Sequence, residues 1–173
     1  MIDRPLPDEY PEYYNLYINL IQEGDIIGIL EEQSSFAQGF FSAIPEEKGD
    51  YTYAFGKWTI KEVLGHMIDT ERIMTYRLLR VVRKDKQSLP GFDQDEYVLS
   101  GQFFRRTMKD MIDEKLLLRA ANLLMYKNIQ EEDYMLRGTF NENEISARAI
   151  IYIIAGHELY HINFLKENYL TSS

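Results

Sequence analysis

The chain has 173 residues, of which 19 are Lys or Arg and 28 Asp or Glu, giving a formal charge of −9. Apolar residues at 45% and aromatics at 13% suffice for a packed core and exclude a disordered chain, and the length suits one domain covering residues 1–173. The absence of cysteine excludes disulfides, thiolate metal sites and a cysteine nucleophile, and the acidic balance disfavours nucleic acid as a partner.

Met1 to Asp8 places acids and prolines where a secretion signal needs an apolar stretch. The longest apolar run, Ala149 to Gly156, is far short of the roughly 20 residues that span a bilayer. A soluble, cytoplasmic protein without a membrane partner is therefore expected. Glu9 to Ile21, rich in tyrosine, predicts a short helix ending around Gly24. Asp25 caps the next helix, in which Ile26, Ile29, Leu30, Phe36, Ala37 and Phe40 recur at helical spacing until Pro45. Thr59 and Glu62 fit a capping box that opens a second long helix, with Ile60, Val63, Leu64, Met67, Met74, Leu78 and Val81 as its stripe. That stripe stops before Ser88-Leu89-Pro90-Gly91.

A third long helix begins near Thr107, with Asp110 as capping partner, and carries Met111, Ile112, Leu118 and Met125. The fourth starts after Ser146, carries Ile150, Ile153, Ile154, Phe164 and Leu165, and ends near Asn168. No segment alternates in the manner of a strand. The fold class is all-α, a four-helix bundle with an additional short N-terminal helix. The connections Ala43 to Lys57 and Lys84 to Arg106 are long for a bundle, and long connections often cover or complete a site.

Only three histidines are present. His157 and His161, four apart, share a helical face and fall in the middle of the apolar stripe of the fourth helix. A buried imidazole needs a hydrogen-bond partner or a ligand, and two side by side serve each other poorly. A metal ion resolves both, since neutral imidazole is the commonest protein ligand of transition metals. His66 lies at the flank of the second helix's stripe, where it can line a pocket between helices. Three histidines with the fourth position open match a catalytic site. Histidines satisfied within a core are the other reading, and spacing alone leaves both open. His157-Glu158-Leu159-Tyr160-His161 is also an HExxH string, as in zinc proteases. Phe164 and Glu167 stand where the extended protease form needs glycine and histidine, and no strand is expected to hold a peptide.

Several runs resemble one family. Gly56-Lys57-Trp58-Thr59-Ile60-Lys61-Glu62-Val63-Leu64-Gly65-His66-Met67-Ile68-Asp69-Thr70-Glu71-Arg72 resembles the first signature of the DinB/YfiT-like superfamily. Leu89-Pro90-Gly91-Phe92-Asp93-Gln94-Asp95 resembles the loop that follows in one branch, and Tyr152-Ile153-Ile154-Ala155-Gly156-His157-Glu158-Leu159-Tyr160-His161 resembles the second signature. The resemblance implies a four-helix bundle that binds a divalent metal, zinc or nickel, through His66, His157 and His161. It also implies thiol-dependent transferase or isomerase chemistry on small molecules, and homodimers in many members.

Three neutral imidazoles leave a metal a full Lewis acid that favours thiolate over thiol. With no cysteine in the chain, the thiol must be external, such as bacillithiol or a similar low-molecular-weight compound. The expected function is thiol S-transfer to small electrophiles. A metal-dependent hydrolase using metal-bound water, or a non-catalytic metal-binding bundle, are the alternatives. Glu158 and Asp69 are the further catalytic candidates, Glu158 as base and Asp69, three residues after His66, as orienter of its ring. Packing or solvated roles compete for both. Trp58 and Arg105 are the candidates for contacting a bound cofactor or substrate, against core packing for the indole and a surface role for Arg105-Arg106. Asp93 and Asp95 read as loop and cap residues.

Overall fold

The computed structural model describes residues 2–170. Four long helices form the bundle: α2 (Ile26–Ser42), α3 (Ile60–Val82), α5 (Met108–Tyr126) and α6 (Ala147–Asn168). Two short ones, α1 (Asn15–Ile18) and α4 (Gln94–Gly101), and a hairpin of β1 (Arg137–Phe140) and β2 (Asn143–Ser146) complete the elements used below. The expected capping residues are in place. Asp25 accepts from the Gly28 amide, Thr59 and Glu62 close a capping box, Thr107 accepts from Asp110, and Ser146 from Ala149.

The N-terminal segment departs from the predicted helix. Two 3-10 turns, Pro7–Glu9 and Glu12–Tyr14, precede the four α-helical residues of α1, because Pro7 and Pro11 lack the N–H that a continuous helix would use. The hairpin is the second departure. Asn141 and Glu142, at φ of 48° and 66°, make the two-residue turn between Phe140 and Asn143, and strands of four residues are too short for alternation to register. Ser146 both ends β2 and caps α6, and its hydroxyl donates to the fully buried Glu9 at 2.6 Å. Phe36 is the third. Its ring is 46% exposed beneath the Lys166 ammonium, not in the core.

The core splits into two apolar clusters. One takes the C-terminal half of α3 (Met74, Leu78), the end of α5 (Leu123, Tyr126) and the start of α6 (Ile150–Ala155). The other takes the start of α3 (Ile60–Ile68), the start of α5 (Met108–Ile112) and the end of α6 (Ile162, Leu165). α3 and α5 therefore run in the same direction, opposite to α6, and the chain must travel back along the bundle between them. That return is the physical reason for the long connection from Lys84 to Arg106, which carries α4. Between the clusters, at one level of all three helices, lies a polar layer. His66, Thr70 and Glu71 come from α3, Lys115, Arg119 and Asn122 from α5, and His157 and Glu158 from α6, all buried.

Candidate metal centre

Two glycines let the histidine-bearing helices be approached closely. A Cβ on Gly156 would sit 2.2 Å from the Tyr17 carbonyl oxygen, so α1 crosses α6 one residue before His157. A Cβ on Gly65 would lie 2.4 Å from the Phe103 ring, one residue before His66. Each imidazole is flanked by one aromatic ring. Centroid distances are 5.2 Å from Tyr17 to His157, 5.0 Å from Trp58 to His66 and 5.3 Å from Tyr160 to His161.

The three imidazoles converge through Nε2. That of His157 lies 3.0 Å from Nε2 of His66 and 3.1 Å from Nε2 of His161. One Nε2 carries either a proton or a lone pair, so His157 cannot serve both neighbours with good hydrogen bonds. Burial holds all three neutral. It lowers His66 to about 4 and His161 to about 3, and His157 falls well below its usual 6.5 through burial and the neighbouring His161, His66 and Lys115. Ligand nitrogens around a tetrahedral zinc, each about 2.0–2.1 Å from it, are about 3.3 Å apart, close to the separations here. The donor set fits a divalent transition metal, and among the described residues no fourth protein ligand joins the group. That composition suits an ion with one position left for a substrate or co-substrate.

His161 faces a cavity of about 480 Å³. Tyr53, Trp58, Tyr160 and Phe164 supply aromatic walls, and Lys57 and Asp95 add opposite charges. Both long connections contribute to it, one through Tyr53 to Lys57 and the other through Gln94 and Asp95. Asp93 caps α4, accepting from the amides of Asp95 at 2.9 Å and Glu96 at 3.1 Å, which fixes Gln94 and Asp95 at the cavity edge.

The remaining candidates fall in different places. Trp58 lines the cavity, against His66. Arg105 does not; it is exposed, over the Phe104 ring at 5.6 Å. Asp69 does not orient His66: it lies 3.8 Å from Arg72, and the side chain facing the His66 Nδ1 is Thr70, whose hydroxyl is 3.5 Å away. Helical geometry explains the exchange, because a residue four positions on lies more nearly above its partner than one three positions on. Burial raises the Asp69 carboxyl, opposed by Arg72. Glu158 lines no part of the large cavity. Its carboxylate is ion-paired with Lys115 and Arg119, and it is 3% exposed behind the triad. An HExxH protease would need that glutamate free as its base. The sequence reading missed Tyr17 and Tyr160 as neighbours of the histidines, although Gly156 inside an otherwise bulky helix was the available sign of a chain crossing there.

A four-helix bundle with a trihistidine cluster, two of its imidazoles buried and the third half-buried at the mouth of an aromatic cavity, defines the class of protein. The particular family follows from comparison: the chain belongs to the DinB superfamily, whose sequence profile matches residues 30–165 and so includes all three histidines. A candidate metal-dependent hydrolase of Oceanobacillus iheyensis is 22% identical over 130 residues, covering 72% of each chain. YfiT of Bacillus subtilis, described as a probable metal-dependent hydrolase with an unusual four-helix bundle topology, superimposes with a TM-score of 0.72 at 14% identity. The match covers 88% of this chain and 95% of that one. A mycothiol-dependent maleylpyruvate isomerase matches with a TM-score of 0.68 at 8% identity, over 84% of this chain and 61% of that one. These likenesses establish the fold. Among the described residues no helix is long and apolar enough to cross a membrane.

Proposed function

We propose that the chain is a divalent-metal-dependent enzyme, with zinc or nickel held by His66, His157 and His161, that transfers an external low-molecular-weight thiol to small electrophiles. The observation that carries the metal reading is the convergence of three neutral Nε2 atoms, from buried His66 and His157 and half-buried His161, with no other protein ligand among the described residues. When bound, the ion supplies a Lewis acid that lowers the pKa of a thiol or water held beside it. Tyr17 stays a neutral phenol, raised to about 12 by burial and by Tyr160 and Tyr13, so it adds no competing anion. Trp58, Tyr160 and Phe164 provide flat surfaces for an apolar group, and the cavity is roomy enough for a thiol and an electrophile together. The absence of cysteine makes the thiol external.

Hydrolysis by an activated water is the second reading, favoured by the descriptions of the Oceanobacillus and Bacillus relatives. Both use the same ligands, so product analysis separates them. The purified protein, loaded with zinc or nickel, is incubated with bacillithiol and other thiols plus monochlorobimane. Metal-dependent conjugation supports transfer; none with any thiol abandons it.

We also propose a cytoplasmic homodimer. The outer face of α5 carries Leu117, 73% exposed, and Leu124, 69% exposed, with exposed Ala120 and Ala121 between them. Read from either end, this stripe has the same order, so it matches an antiparallel copy of itself across a two-fold axis.

A further inference from the structure

α5 leaves Lys109, Asp110 and Asp113 exposed but turns Lys115 and Arg119 inward. Lys115 is 5% exposed and Arg119 1%, and both meet two buried carboxylates, Glu71 from α3 and Glu158 from α6. The Arg119 guanidinium forks onto Glu71 at 2.7 and 2.9 Å and reaches Glu158 at 3.1 Å. Asn122 donates to Glu71 at 3.0 Å, and Arg119 also donates to the Leu30 carbonyl at 3.3 Å. Two acids and two bases leave the quartet without net charge. Similar helix cohesion is available from apolar side chains at less desolvation cost, so cohesion alone does not account for four buried charges.

Their location does. Each acid comes from a helix that carries histidines, and Glu158 is the residue after His157. Thr70, which faces His66, is the residue before Glu71. A narrow space of about 10 Å³ lies between the quartet and His157, bordered by Thr70, Glu71, Lys115, His157 and Glu158 and by the apolar side chains of Met67, Met74, Ile153 and Ile154. That is room for about one water, with enough polar neighbours to hold it. The Nε2 of His157 is directed to the other two histidines, and Nδ1 is its remaining polar ring atom.

We propose that Glu158 and Glu71, held by Lys115 and Arg119, are positioning residues for the histidine cluster. They lock α3 to α6 behind the triad and, through the narrow space beside His157, hold its Nδ1 proton so that its Nε2 lone pair points at the ligand position. The partners of ligating histidines set affinity in this way, and their loss typically weakens metal binding about 10–100-fold. The inference rests on the metal-site reading above.

The experiment compares the full chain with Glu158→Gln and with Lys115→Met/Glu158→Gln, which removes one charge of each sign and keeps the remaining pair balanced. Zinc affinity is measured by chelator competition, and the imidazole tautomers of the metal-free proteins by nitrogen-15 NMR. The expected result is zinc binding at least about 10-fold weaker in both variants, with loss of the single Nδ1–H tautomer of His157, although the double variant unfolds at the wild-type temperature. Wild-type affinity with an unchanged His157 tautomer in a folded double variant would overturn the proposal. If the wild-type chain binds no zinc or nickel, the metal reading fails, and the tautomer comparison still decides the positioning role.

Discussion

His157 is the residue on which the site turns, because its Nε2 is the one that meets both other imidazoles. His157→Ala should reduce bound metal from one ion per chain to a small fraction, measured by elemental analysis of protein purified without a histidine tag. Equal metal in the variant would place the ion elsewhere. Acid sensitivity follows from the same residues. An unfolded imidazole protonates near pH 6.5, whereas folded His66 and His161 do so only near about 4 and 3. The unfolded state binds more protons between these values, so their contribution is complete above about pH 6.5 and is lost as pH falls toward about 4 and below. Glu71 behaves as a depressed acid: burial pushes its carboxyl up, Lys115 and Arg119 more than offset that, and it ends at about 2 instead of 4.5. Its contribution is present above about pH 4.5 and fades below it. The melting temperature of the metal-free chain should fall steadily from pH 7 to pH 4, and a flat profile would mean that the imidazoles are already hydrated in the folded state.

At the scale of the element, α6 is the central helix. It is buried on every face from Ala149 to Glu158, and Gly156 is where α1 crosses it. Gly156→Ala should cost about 1–3 kcal/mol by overpacking, and displacement of Tyr17 should also alter the metal spectrum of a cobalt-loaded sample. The hairpin before α6 holds Glu142 at φ 66°, a conformation that costs a side-chain-bearing residue roughly 1 kcal/mol. Glu142→Gly should therefore raise the melting temperature by about 2–4 °C without changing metal content. In α5 the apolar pattern underdetermines which face is inside, because Lys115, Arg119 and Asn122 are buried while Leu117 and Leu124 are exposed. Local pattern cannot reveal partners contributed by Glu71 and Glu158, which are distant in sequence.

For the whole molecule, the opposing predictions concern the two faces of α5. Arg119→Met leaves Glu71 and Glu158 to share Lys115 and should destabilise the fold by roughly 3–5 kcal/mol, read from urea unfolding. Leu117→Glu/Leu124→Glu should leave the fold intact and shift the mass in sedimentation equilibrium from dimer to monomer. An unchanged dimer mass would move the interface to another face, and a wild-type chain of monomer mass would overturn the proposed dimer. The placement of the polar layer between two apolar clusters gives both effects a common origin, since it draws Lys115 and Arg119 inside and leaves Leu117 and Leu124 outside.

The sequence by itself determined the four long helices, their caps and the three histidines, because capping and periodicity are local properties and the resemblance rested on contiguous runs. Ser146, Thr59 and Thr107 were readable as caps for that reason. Only the tertiary structure decided what each side chain meets. It gave His66 to Thr70 instead of Asp69, bound Glu158 into ion pairs, left Arg105 on the surface and brought Tyr17 over His157. It also showed why the connection after α3 is long: parallel α3 and α5 require the chain to return along the bundle. Such pairings depend on which helix faces join across the molecule, and no window of neighbouring residues contains that information.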